Sequence, residues 1–343
     1  MTGRDTDLLQ GLRVLELSQG VAAAYAGKLL ASLGAAISRA PLPAKPGAGL
    51  SEALADYLHT GKGRTDAYAP GAFDIVLTDV HVDARAALGI DLDGWRKAEP
   101  ALITGAASVF GDTGADAHAP AVELDAYARS GVAWVIGEPG RPPLIVPFHH
   151  AEMQAGAHLA AAALMALIAR RRSGRGQAID IAAADVVSAA VGVNGMLYLY
   201  EILQRYDRAG RRAFASGGPY PYVLLPCADG EVCLVGRARH EWGRLMAAMG
   251  DPEWSKNPRY QDLRAMGRDY PEEVDALIQP WLSKHTRAEL LALAEQHGFP
   301  IGPVYRMEET VGLAQFAYRG FFAERDGRRM PEVPWTLTRG AAA

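Results

Sequence analysis

The sequence predicts an α/β protein whose first part is a parallel sheet, and two observations carry that prediction. Short apolar runs at 12–17 (LRVLEL), 74–79 (DIVLTD) and 101–108 (ALITGAAS) read as buried strands. Helical stretches at 21–33 and around 83–98 alternate with them, and such crossovers join strands that run the same way. Gly34 suits the left-handed position that closes the first helix.

Residues 42–50 (LPAKPGAGL) and 67–72 (AYAPGA) have loop composition. Two long helices are predicted next, at 151–173 and roughly 180–205, with Gly174 and Gly176 between them. Arg170, Arg171 and Arg172 fall in a last turn, where cations complement the helix dipole. The polar segment 207–219 marks a boundary. Beyond it, YPYVLLPCADGEVCLVGR reads as a hairpin about an Asp229-Gly230 turn. Helices follow at 239–249, 271–284 and 286–297, the last opened by a capping box of Thr286 and Glu289. Gly298, Pro300 and Pro303 end it, a helix near 307–318 follows, and 320–343 is expected to return to the first region.

Composition narrows the function classes. The 343 residues are 49% hydrophobic and 22% charged, as in a folded soluble protein with a substantial core. A formal charge of −4 offers no global attraction for nucleic acid or an anionic membrane, so any anionic ligand needs a local basic site. Cys227 and Cys233 imply neither a disulfide framework nor a metal site. The N-terminus lacks the apolar core of a secretory signal, and the weakly polar stretch 155–169 is shorter than the ~20 residues of a membrane span, so a cytoplasmic location is expected. The turn Ser18-Gln19-Gly20-Val21-Ala22 has no G-x-G-x-x-G, and Gly61-Lys62-Gly63 lacks the rest of a phosphate loop. No tightly bound cofactor is expected.

The strongest chemical signal is HHAEMQAG at 149–156, which sets Glu152 at a helix start. Unpaired N–H groups and the helix dipole favour an ionised carboxylate there, available as a nucleophile; the same physics also places acids in first turns with no catalytic role. His149, His150 and Gln154 flank it as candidates to orient the carboxylate or to donate to an oxyanion.

The ending Arg171-x-Ser173-Gly174-x-Gly176-Gln177 with Ile179–Asp180, the run at 9–35, DIVLTD, ALITGAASVFGDTG and the late CADGEVCLVGRARHEWGRLMAAMG with DPEWSKNPRY occur in an order that resembles the family III CoA-transferases. This group includes formyl-CoA transferase, carnitine CoA-transferase and α-methylacyl-CoA racemase. The resemblance implies a Rossmann-like large domain at 1–206, a smaller inserted α+β domain at 207–305, and a segment at 306–343 that returns to the large domain. It also implies two chains threaded as interlocked rings, a homodimer or a pair with a homologous subunit. Substrates would be an acyl-CoA and a small carboxylic acid.

In that family an aspartate near the start of the long helix attacks the thioester; gap-free spacing to SGRGQ puts Glu152 at its position. The arginine of the family's turn after the third strand corresponds to His81, and the Asn-x-x-Lys-Arg-Ser segment corresponds to 59–64. CoA contacts are therefore expected from Gln19, Val21, Arg39, Lys62, Arg64, His81 and Arg85. Gly217 and Gly218 read either as a glycine loop over the site or as a linker. A racemase would place its histidine at Val122, with Glu123 or Asp125 as substitutes. A non-catalytic subunit is the remaining alternative.

Overall fold

The computed structural model describes residues 8–43, 50–66, 69–190, 208–212, 218–325 and 327–337. They fall into two compact units, one formed by residues up to Ala133 with Ile145–Asn194 and Gly320–Ala343, the other by Trp134–Leu144 with Gly195–Arg319.

The first unit is built on a six-stranded parallel sheet. In chain order its elements are β1 (Arg13–Leu17), α1 (Ala22–Ala31), β2 (Ala36–Arg39), α2 (Glu52–His59), β3 (Gly63–Arg64), β4 (Ile75–Thr78), α3 (Val82–Arg85), α4 (Leu92–Ala98) and β5 (Ile103–Ser108). There follow α5 (Glu123–Arg129), α6 (Val132–Val135, divided between the two units), α7 (His150–Ser173) and β6 (Ala178–Ala182). Strand order is β3-β2-β1-β4-β5-β6. The central strands are buried along nearly their whole length, as parallel strands covered on both faces must be. On one face Leu15, Leu17, Val76, Val80, Ile90 and Leu102 form the core.

The other face carries α1 and α7. Small residues allow the two helices to approach closely: a Cβ added at Gly156 would stand 2.4 Å from the carbonyl oxygen of Ala22. Gly105 on β5 likewise makes room for Leu159, whose Cδ1 would lie 2.7 Å from an added Cβ. By length and composition α7 could cross a membrane. Its buried face of Ala151, Ala155, Leu159 and Ala163 against α1 and β5 makes it instead a core helix.

The SGRGQ motif is a helix stop joined to a strand start. Gly174 adopts φ 71° and donates to Arg170 O, while Gly176 sits so near Leu102 O that a Cβ would be 1.9 Å away. Arg170 donates to the carbonyls of Asp74 and Ala101, which gives that cation a structural role. Here the prediction of a helix over roughly 180–205 needs correction: AIDIA is β6, paired with β5, and the helix begins only at 183. Its remainder lies outside the described residues. The helical stretch at 83–98 is two helices, α3 and α4, separated by Gly89 at φ 71°.

The second unit holds the hairpin β7 (Tyr222–Cys227) and β8 (Gly230–Val235), then α8 (Arg239–Ala248), α9 (Leu263–Asp269), α10 (Pro271–Leu282), α11 (Arg287–His297), β9 (Ile301–Val304), α12 (Met307–Thr310) and α13 (Ala314–Tyr318). The capping box forms, with Thr286 N–H donating to Glu289 and Glu289 N–H to the Thr286 hydroxyl. β9 adds to β8 as an edge strand, so the Gly302-Pro303 segment is not a simple helix terminator. Trp242, Leu245, Met246, Val274, Ile278 and Leu290 are buried in this unit's core. From Gly320 the chain belongs again to the first unit, where β10 (Phe322–Arg325) and β11 (Arg328–Pro331) form a hairpin and Arg328 pairs with Asp56 and Glu52 of α2.

Candidate active site

β1 and β4 end side by side, Leu17 opposite Thr78. Asp79, just beyond β4, turns its carboxylate to the start of α1. It accepts from the Ser18 hydroxyl at 2.7 Å and from the N–H groups of Gln19, Gly20 and Ala23 at 2.6, 3.2 and 3.2 Å. α1 has Val21 at its N-cap and no capping side chain of its own, so the neighbouring strand satisfies these donors. Burial raises the Asp79 pKa, and the four donors oppose that shift. Nothing local marks this role, because cap and helix are far apart in sequence.

At the next layer, Phe148 and His149 have φ of 66° and 57° and turn the chain into α7. The first-turn N–H of Ala151 donates to Glu123 Oε1 at 2.7 Å, so α5 caps α7. Glu152 is left for other work. Its Oε2 lies 2.8 Å from His149 Nδ1, and its Oε1 would be 3.8 Å from a Cβ at Gly20. The side chain is 26% exposed on the wall of a pocket of about 200 Å³. Burial raises its pKa, the His149 contact lowers it, and Glu123 and Asp79 raise it further. The net direction is opposite to the dipole effect expected from sequence, because desolvation of the carboxylate prevails.

A second pocket of about 250 Å³ shares Gly20 and Leu50 with the first and carries Gln19, Arg39, His59 and Arg64. Glu16, which also lines it, pairs with Lys62; both side chains are wholly buried, with Lys62 Nζ 2.5 Å from Glu16 Oε2 and 2.6 Å from Ala24 O. Burial pushes the Glu16 pKa up and the Lys62 pKa down. Burial beside the Arg39 and Lys62 cations pushes His59 down to about 4, so its imidazole is neutral near pH 7. Arg39 Nε and Glu16 Oε1 are buried without a hydrogen-bond partner.

The residues expected at the site therefore divide. Glu152, His149 and His81 line the first pocket, and Gln19, Arg39 and Arg64 the second. Lys62 is a correction: an ammonium with no exposed surface is committed to Glu16 and cannot reach a ligand. Arg85 is another, since it holds Asp112 through both terminal nitrogens and donates to Val80 O. Val21 is fully buried. His150 bonds Tyr127 at 2.7 Å, Gln154 approaches His150 at 3.4 Å, and neither lines the pocket. Gly217 lies outside the described residues; Gly218 belongs to the second unit, its carbonyl set against Gly267. The roles of Asp79 and Glu123 were not evident in the sequence. Among the described residues no group of three His, Cys, Asp or Glu is placed to hold a metal.

A family model described as CoA-transferase family III matches residues 71–342. Succinyl-CoA–D-citramalate CoA-transferase of Chloroflexus aurantiacus is 28% identical over 91% of this chain and 82% of its own. Succinate–glutarate CoA-transferase of Agrobacterium fabrum is 27% identical over 95% and 88%. The crystal structure of a CAIB/BAIF family protein from Brucella suis matches with a TM-score of 0.86 at 24% identity, covering 97% of this chain and 93% of that one.

Proposed function

The chain belongs to CoA-transferase family III, and from that premise we propose that it transfers CoA between an acyl-CoA and a carboxylic acid with Glu152 as the nucleophile. The observation that carries the reading is the position of Glu152: at the start of α7, hydrogen-bonded by His149, and facing a pocket that adjoins one bearing Arg39 and Arg64.

The Glu152 carboxylate adds to the thioester carbonyl, the C–S bond breaks, and CoA thiolate leaves a mixed anhydride. The thiolate then attacks the Glu152 carbonyl, releasing the first acid as its carboxylate and leaving an enzyme–CoA thioester. The acceptor carboxylate attacks that thioester, and the returning thiolate takes the new acyl group and restores Glu152. Each step exchanges one anion for another, so no general base is consumed. His149 keeps the carboxylate oriented, and its hydrogen bond favours the ionised form against the burial that opposes it. Arg39 and Arg64 supply positive charge for the anionic end of CoA.

The racemase alternative has less support. Val122 lines the pocket at the position of the racemase histidine, Glu123 caps Ala151, and Asp125 accepts from Val122 N–H within its own helix start. A non-catalytic subunit would keep the fold without reacting at Glu152. Incubation with acyl-CoA and an acceptor acid, followed by assay of the exchanged thioester, tests the reading. Exchange by purified protein supports it, whereas CoA binding without exchange supports the non-catalytic alternative.

We also propose that the chain is cytoplasmic and forms an intertwined dimer, as the family resemblance implies; the apolar surface left on α7, where Met165 and Ile168 are 64% and 62% exposed, supports a protein interface there. Sedimentation at micromolar concentration should show a dimer. A monomer would contradict it.

A further inference from the structure

We propose that the acyl group carried to Glu152 is uncharged and apolar, the acyl chain of a monocarboxylic acid. This rests on the transferase reading and adds the substrate class. Much of the pocket wall is apolar, from Leu50, Val109, Phe110, Ala117 and Val122 among others. Its charged members are Asp79, Asp116, Glu123 and Glu152, and among the described residues that line it there is no lysine or arginine. A volume of about 200 Å³ exceeds the roughly 150 Å³ apolar cavity that accepts one benzene, so a short acyl chain fits within it.

Among the described residues that line the pocket, the charged side chains offer a second carboxylate like charge rather than a permanent cation. Asp79 is held by α1 and Glu123 by Ala151 N–H. Arg129 lies 5.3 Å from the Phe110 ring centre and is paired with Asp116 at 3.0 Å. His149 faces Glu152, and His81 Nδ1 accepts from Asp83 N–H at 3.4 Å. A succinyl or glutaryl group would thus bring an unpaired anion among carboxylates, losing its hydration and meeting like charge. Several relatives are named for such diacids, and here this chain should differ from them. Donor and acceptor occupy the same anhydride position in turn, so the constraint applies to both.

The test presents the full chain separately with butyryl-CoA, hexanoyl-CoA and succinyl-CoA at equal concentration. The readout is the rate at which the CoA adduct appears by intact mass. Butyryl- and hexanoyl-CoA should label on the order of 10²-fold faster than succinyl-CoA. Equal or faster labelling by succinyl-CoA overturns the substrate class and leaves the transferase reading standing. No labelling by any donor removes both. A second arm uses Val122→Arg, whose position is 58% exposed and tolerates a charge. This variant should gain about tenfold with succinyl-CoA; no gain, with the wild type still rejecting succinyl-CoA, overturns the electrostatic cause.

Discussion

His149 Nδ1 lies 2.8 Å from Glu152 Oε2 across the first turn of α7, and the imidazole reaches that carboxylate because His149 itself sits in the left-handed region. A glutamate is long enough to meet both this nitrogen and the turn at Gly20. Glu152→Asp withdraws the carboxylate by one methylene from a surround fitted to the longer side chain. Exchange should fall by about 10²-fold, as expected for a displacement near 1 Å, with thermal stability unchanged. Activity equal to or above wild type would mean that the pocket is shaped for aspartate.

The same contact fixes a pH dependence. The reactive form is the carboxylate, so the rate falls as pH drops through the pKa of Glu152. Burial raises that pKa from the ordinary 4.5, which places the acid limb of the kcat/KM profile above 4.5. His149→Ala removes the hydrogen bond that opposes the shift, and the limb should move to still higher pH. An unmoved limb would show that His149 does not act on Glu152.

Gly156 binds the nucleophile's helix to α1. In Gly156→Ala the new Cβ would meet Ala22 O at 2.4 Å, a backbone atom with no room to yield. The helices must separate, with a stability loss of about 1–3 kcal/mol by denaturant unfolding. Glu152 is one turn away, so exchange should drop as well.

Lys62→Met tests the corrected role of that lysine. It leaves Glu16 buried without its partner and should lower stability by about 3–5 kcal/mol. Glu16→Gln combined with Lys62→Met should recover much of the loss, because the uncompensated charge is gone. If single and double variants unfold alike while CoA affinity alone is lost, Lys62 belongs to the ligand site after all.

Much of the first unit was legible from its residues. Short apolar runs marked β1, β4 and β5, and the helix predicted at 151–173, closed by Gly174 and Gly176, matches α7 to within a residue. AIDIA was misread because five residues of alternating pattern run straight into alanine-rich helix, and an edge strand shows no strong burial signal. IGPV was misread because glycine and proline carry low strand propensity, which an edge position tolerates. In the site, the sequence named the ionisable residues but not which were already committed. Lys62 and Arg85 read as cations available to a ligand, and only the fold shows Glu16 and Asp112 beside them. Conversely, Asp79 and Glu123 set the two helix starts from distant positions, which local patterns cannot reveal.

Covalent trapping at Glu152 tests the central claim most directly. Wild-type protein incubated with a reactive acyl-CoA and then treated with hydroxylamine or borohydride should carry a modification that peptide mass spectrometry assigns to Glu152, and Glu152→Gln should show neither the modification nor CoA exchange. Exchange that persists unchanged in Glu152→Gln, or a modification mapped to another residue, would contradict the account.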